Sequence, residues 1–184
     1  NLQRDLGIPI IDGGDIFDHY RPSNRLLTFA LEQLSNCPLV TVPGNHDLPK
    51  HSIDLFRDSG LSVLSAAGVV QVASEIGIEA DNKLRIFGAP WNQSLFAVPD
   101  MEKTNVLICH QMVWESSPPF PNAKGTGVKE FARKCGELGY TMVLVGHNHQ
   151  RFFHEDPDTG CLVVSVGCFT RQTYAERDHV PMVG

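Results

Sequence analysis

No Cys-x-x-Cys spacing occurs anywhere in the chain, and its five cysteines (Cys37, Cys109, Cys135, Cys161 and Cys168) are odd in number and scattered. That argues against a disulfide-stapled secreted scaffold and for a reducing compartment, with most of the thiols buried. No apolar run reaches membrane-spanning length, and no basic, apolar and small-residue signal pattern is present, so the sequence reads as cytoplasmic with no membrane partner. Positive charge is also scarce: Lys and Arg total 15 against 21 Asp and Glu, a net charge of -6. A protein so charged does not grip nucleic acid by bulk electrostatics, and any polyanion must be held locally. Two catalytic signatures are absent as well, the Gly-x-Ser-x-Gly elbow of serine hydrolases and the Gly-x-x-x-x-Gly-Lys phosphate loop. There is no internal repeat and no low-complexity linker.

What is present suits one globular domain, since 184 residues with 42% hydrophobic content build a sizeable core unaided. Short β-branched runs at Ile8 to Ile11, Leu39 to Val42, Val69 to Val72, Leu84 to Phe87, Val106 to Cys109, Met142 to Val145 and Leu162 to Val166 predict strands. Several are apolar throughout, as strands buried on both faces are. Between them Leu26, Leu27, Ala30, Leu31 and Leu34 recur at helical spacing, with Ser23 as the expected N-cap. A second helix is expected after Pro49, ending at Gly60, and a third from about Gly127 to Gly136. The Pro- and Gly-rich stretch from Ser116 to Gly127 reads as an active-site rim. The fold class is α/β with layered architecture.

Each polar cluster follows directly on a buried strand. Ile10-Ile11 leads into Gly14-Asp15-Ile16-Phe17-Asp18, Val40 to Val42 into Gly44-Asn45-His46-Asp47, Val106 to Cys109 into His110, and Val143 to Val145 into Gly146-His147-Asn148-His149. Ligands of α/β sheets bind at the carboxyl ends of strands, so these four clusters converge on one crevice. A carboxylate, an Asn carbonyl and three histidines form a mixed oxygen and nitrogen set suited to Mn, Fe or Zn rather than to Ca or Mg. A lone Gly-His-Asn-His is equally readable as an exposed polar turn; four clusters in this order favour a metal site over it.

Gly-Asp-x-x-Asp, Gly-Asn-His-Asp, a strand-end His and Gly-His-x-His, in that order, resemble the signature of the calcineurin-like metallophosphoesterases. The resemblance implies a layered β-sandwich core flanked by helices, missing its first strand here, over a single metallophosphoesterase domain at 1–184 that is expected to be a fragment cut at both ends. It implies two divalent metal ions, Mn2+ first among them, with Asp15 bridging, Asn45, His110 and His147 completing one site, and His149 on the other. The two ions would activate a hydroxide for attack on phosphorus. By the same resemblance His46 stabilises the phosphoryl oxygen or protonates the leaving oxygen, and Asp18 pairs with it, although a solvated loop acid is a second reading of Asp18. Asp47 reads as a structural turn residue. His19, beside the motif, is a candidate phosphate contact, whereas His51, His154 and His179 are left unassigned.

Family members open with an Asp-x-His motif that binds the same metal as His149, and this sequence has none: neither Asp5 nor Asp12 is followed two residues later by His. An amino-terminal strand cut away is the first explanation, and a degraded, metal-depleted interaction module the second. The chain alone is expected to hold one metal tightly and to show little phosphodiesterase activity. Gly14 to Ser23 resembles the Gly-Asp-Ile-Phe-Asp…Pro-Ser form of the DNA-repair exonuclease branch. Val166 to Gln172 resembles that branch's Pro-Gly-Ser…Arg segment, with Val and Cys in place of Pro and Ser. Arg171 is open to two readings, a bidentate phosphate contact or a surface ion pair. The branch implies a DNA exonuclease or endonuclease, with DNA, a coiled-coil ATPase subunit and a second copy of the chain as partners. A small-molecule or nucleotide phosphoesterase is the alternative enzyme.

Overall fold

The computed structural model describes residues 9–168. Among these residues nine strands form two sheets with three α-helices on their outer faces, and two further strands form a separate pair. The strands are β1 (Ile10–Ile11), β2 (Leu39–Thr41), β3 (Gln71–Val72), β4 (Ile78–Glu79), β5 (Leu84–Ala89), β6 (Thr104–Gln111), β7 (Val113–Trp114), β8 (Thr126–Gly127), β9 (Met142–His147), β10 (Arg151–Glu155) and β11 (Leu162–Val166). The helices are α1 (Asn24–Leu34), α2 (Gly60–Ala66) and α3 (Val128–Glu137). One sheet has the order β1-β2-β3, all parallel; the other runs β10-β11-β9-β6-β5-β4, with a parallel centre and antiparallel edges. Strands β7 and β8 form a small separate pair that closes the base of the Ser116 to Gly127 loop.

Alternation within the strands builds the layers. Ile86, Val106 and Ile108 of the large sheet pack on Val40, Val42 and Ala73 of the small one. Their neighbours Phe87, Leu107 and Cys109 point the other way, onto Val128, Phe131, Ala132 and Cys135 of α3. The outer face of the small sheet is covered by α1 and α2 through Ala30, Leu61 and Leu64, joined by Phe17 of the loop after β1. The result is helix, sheet, sheet, helix, the expected sandwich, and it explains why Val106 to Cys109 of β6 and Met142 to Val145 of β9 read as unbroken apolar runs.

Ser23 caps α1 by accepting the Leu26 N–H at 3.2 Å. The expected second helix is displaced. Residues after Pro49 form two 3-10 segments, Pro49–His51 and Ile53–Asp58, and the α-helix begins at Gly60, where it was expected to end. Lys50 (φ 52°) and His51 (φ 56°) both turn left-handed, which breaks any continuous helix. Ser59 caps the later helix through the Ser62 N–H. Gly60 is there for close approach, because a Cβ would sit 2.5 Å from the Pro22 ring.

Strands β4, β7, β8 and β10 lie outside the sequence expectation. Three of them are two residues long, and β10 is an edge strand whose alternating exposure mixes Arg151, Phe153 and Glu155 with buried Phe152. Cys109, Cys135 and Cys161 are buried free thiols, and Cys37 and Cys168 are half-buried. Among the described residues no helix is long and apolar enough to cross a membrane.

Candidate metal centre

The two sheets meet where their parallel strands end. A Cβ on Gly13, just past β1, would lie 2.9 Å from Gly146 Cα, and one on Gly146 would lie 2.1 Å from the Gly13 carbonyl oxygen. Only glycine at both positions lets the end of β1 touch the end of β9. The β6–β9 register then sets His110 beside Gly146 and Gln111 beside His147.

Ligand atoms of Asp15, His110 and His147 all lie within 4.8 Å of one another. Asn45 joins them, its Oδ1 standing 3.1 Å from His110 Nε2, the same distance as Asp15 Oδ2. His110 Nδ1 donates to the Gly13 carbonyl at 2.7 Å, so its Nε2 is the free position, aimed at two acceptor oxygens. Two oxygens and a ring nitrogen converging in this way need a cation or a proton between them, and the donor set fits a divalent metal. The electrostatics agree. Burial lowers the basicity of His110, but the hydrogen bond and charge of Asp15 outweigh it, and the net shift is upward. Burial raises the Asp15 carboxyl, yet His110 and the His46 N–H hold it below its usual range. His147 is pushed down to about 4 by burial and by the neighbouring His110, which keeps it a neutral imidazole able to donate a lone pair.

Left-handed backbone marks the site: Asp15 (φ 60°) and His147 (φ 83°) are both non-glycine. Strained residues of this kind cost about 1–3 kcal/mol each and persist where surroundings fix them. Asp47 does so for Asp15. Its fully buried carboxylate accepts the N–H of Asp15 (2.8 Å) and Gly44 (3.0 Å) on Oδ2 and that of Phe17 (3.3 Å) on Oδ1, tying the loop after β1 to the loop after β2. Burial pushes this carboxyl up to about 6. The turn role expected of Asp47 is therefore wider: it positions a ligand 32 residues away.

His46 lies at the rim, its main-chain N–H donating to Asp15 Oδ1 at 2.8 Å. Its Nδ1 donates to the main-chain carbonyl of Asp18 at 2.8 Å, while the Asp18 carboxylate stands 3.8 Å away and 86% exposed. The atom of Asp18 against His46 is thus its carbonyl oxygen, in place of the carboxylate expected. His149 is half-buried beyond β9, close enough for its charge to oppose protonation of His147. His19 is exposed; its Nδ1 accepts the Arg21 N–H at 3.1 Å and its ring stacks on Tyr20 at 4.3 Å, a local arrangement that does not join it to the cluster. Arg171 lies outside the described residues.

Three participants were not anticipated. Trp91, after β5, sets its ring 4.7 Å from that of His147 and 6.2 Å from that of His110, held by its N–H to the Pro43 carbonyl. Asp12 is half-buried and accepts from Thr41 Oγ1 (2.8 Å) and the Gly14 N–H (2.9 Å), bracing the glycine turn before Asp15. His51 donates from Nδ1 to the Asn45 carbonyl at 2.8 Å. For Trp91 the available signal was its place directly after an apolar run, the rule that found the ligands.

The model of the calcineurin-like phosphoesterases matches residues 9–151, which contain every one of these groups. The chain belongs to that family. Two relatives are DNA double-strand break repair proteins Mre11. That of Sulfolobus acidocaldarius is 22% identical over 157 residues, 77% of this chain and 39% of that protein. That of Saccharolobus solfataricus is 24% identical over 170 residues, 85% and 42% respectively. The chain thus spans about two-fifths of the length of these relatives, and the similarity supports the DNA-repair nuclease branch of the family. Among solved structures, TT1561 of Thermus thermophilus superposes with a TM-score of 0.58 at 16% identity, over 90% of this chain and 80% of that one, a likeness of fold. Membership of this family supports a hydrolase and implies divalent metal ions.

Proposed function

We propose that this domain hydrolyses phosphodiester bonds of DNA, as exonuclease or endonuclease, with two divalent ions of which manganese is the first choice. The observation that carries this reading is the convergence of Asp15, His110 and His147 within 4.8 Å, with the Asn45 carbonyl oxygen against His110. Asp15, Asn45, His110 and His147 would hold one ion, and Asp15 with His149 would contribute to a second. Ions bound there would neutralise phosphoryl charge and activate the attacking water at neutral pH.

The chain's own residues do the rest. His110, with Nδ1 committed to the Gly13 carbonyl, presents Nε2 in a fixed tautomer. Neutral His147 donates a ring lone pair without first losing a proton. His46 is oriented by the Asp18 carbonyl through Nδ1–H, and in its imidazolium form a second proton on Nε2 would contact a phosphoryl oxygen or pass to the leaving oxygen, leaving the neutral ring. Arg171 and His19 are assigned to phosphate contacts. With a net charge of -6 the domain needs help to hold DNA, which a coiled-coil ATPase partner or a second copy would supply.

That same acidity favours a second reading, hydrolysis of small phosphoesters. Mn2+-dependent cleavage of labelled linear DNA by the full-length protein, set beside bis-p-nitrophenyl phosphate, separates them. Cleavage of both, abolished by chelation, is expected. Cleavage of the small ester alone favours the second reading, and inactivity on both favours a non-catalytic module.

A further inference from the structure

His51 carries an arrangement that the metal ligands and the proton donor do not account for. Its ring reaches back six residues to the carbonyl of Asn45, 2.8 Å from Nδ1. A carbonyl only accepts, so Nδ1 bears the proton. The peptide that this carbonyl belongs to is Asn45–His46, and the N–H at its other end donates to Asp15 Oδ1 at 2.8 Å. One peptide group is therefore clamped from both sides, by His51 on its oxygen and by the candidate bridging carboxylate on its nitrogen. Hydrogen bonds in series polarise one another, so a donor on the carbonyl strengthens the N–H that holds Asp15.

The chain accepts strain to achieve this. Lys50 and His51 are consecutive non-glycine residues in the left-handed region, at φ 52° and 56°. The turn is closed by His51 N–H to the Leu48 carbonyl and Ser52 N–H to the Pro49 carbonyl, and is rooted by buried Leu48. Glycine would occupy these positions at no steric cost, and asparagine at little. A β-carbon is retained at position 51 although the turn itself has no use for one, whereas the ring hydrogen bond requires it.

We propose that His51 is a positioning residue of the metal centre, holding the Asn45–His46 peptide so that Asn45 Oδ1 and the Asp15 carboxylate keep their places around the ion. The inference rests on the metal-centre reading above. Groups that orient metal ligands typically contribute about 10- to 100-fold in metal affinity or activity.

Three substitutions separate the ring's role from the turn's. His51→Asn keeps a donor at the position of Nδ1 and tolerates the left-handed backbone. His51→Gly relieves the backbone and removes the donor, and His51→Leu removes the donor and keeps the strain. Mn2+ affinity of the 184-residue chain, measured as free Mn2+ by electron paramagnetic resonance, and the melting temperature of the apo-protein are the two readouts. Affinity is expected to fall about 10- to 100-fold in both His51→Gly and His51→Leu and to stay close to wild type in His51→Asn. His51→Gly is expected to melt higher than His51→Leu. A His51→Gly protein that binds Mn2+ as tightly as wild type, or a His51→Asn protein as weak as His51→Leu, would overturn the assignment. Wild-type protein that binds no Mn2+ would overturn the metal centre itself, and the His51 assignment with it.

Discussion

Replacing Asp47 with alanine is expected to cost about 3–6 kcal/mol of stability and to release Asp15 from its ligand position. The carboxylate is fully buried and accepts three main-chain N–H groups, two at 2.8 and 3.0 Å and one at 3.3 Å. Each orphaned buried donor costs about 1–3 kcal/mol, and the long bond to Phe17 contributes least. The sum is a large share of the roughly 5–15 kcal/mol that holds a domain together. Asp47→Asn is the control that isolates the mechanism. A carbonyl at the Oδ2 position still accepts from Asp15 and Gly44, and only the weak Phe17 bond is lost. That loss of about 1 kcal/mol is offset by removal of a buried charge, since burial already pushes the carboxyl up to about 6. Urea unfolding, read as a shift in midpoint at constant slope, gives the stability of both variants, and Mn2+ titration gives the state of Asp15. An alanine variant within about 1 kcal/mol of wild type, or one that binds Mn2+ as well as the asparagine variant, would refute the clamp.

His46→Asn is expected to retain metal and lose at least about 100-fold in turnover of the full-length protein, whereas equal loss of metal would make His46 a ligand. Asp18→Ala is expected to lose less than about tenfold in the same assay, because the atom against His46 Nδ1 is the Asp18 carbonyl and the exposed carboxylate stands 3.8 Å off; a loss matching that of His46→Asn would restore the carboxylate as the partner. Trp91 packs on His147, so in a Trp114→Phe background Mn2+ is expected to quench the remaining indole, and unchanged emission at saturating metal would contradict that geometry. Gly60→Ala is expected to destabilise by about 1–3 kcal/mol through collision with Pro22, read as a lower melting temperature.

Where structure follows from burial, the residues themselves disclose it. Strands β6 and β9 are apolar on both faces because sheets or helices cover both, and His110 and His147 stand at their ends because that is where parallel strands open a crevice. Ser23 marks the start of α1 for a local reason, its own side chain meeting the Leu26 N–H. Long-range geometry left weaker traces. The chain after Pro49 holds good helix formers, yet the left-handed pair at Lys50 and His51 overrides propensity in order to reach Asn45. Asp47 reads locally as a turn residue, since its true partners at Asp15 and Phe17 are some thirty residues distant. Trp91 enters the site only because β5 runs beside β6, a neighbour relation set by sheet order and not by spacing.

The most direct test of the central claim is an anomalous difference map from crystals of the protein grown with Mn2+, recorded at the manganese edge. A peak is expected within coordination distance of Asp15, Asn45, His110 Nε2 and His147. Saturated crystals with no peak there, or with manganese held by other side chains, would contradict the account.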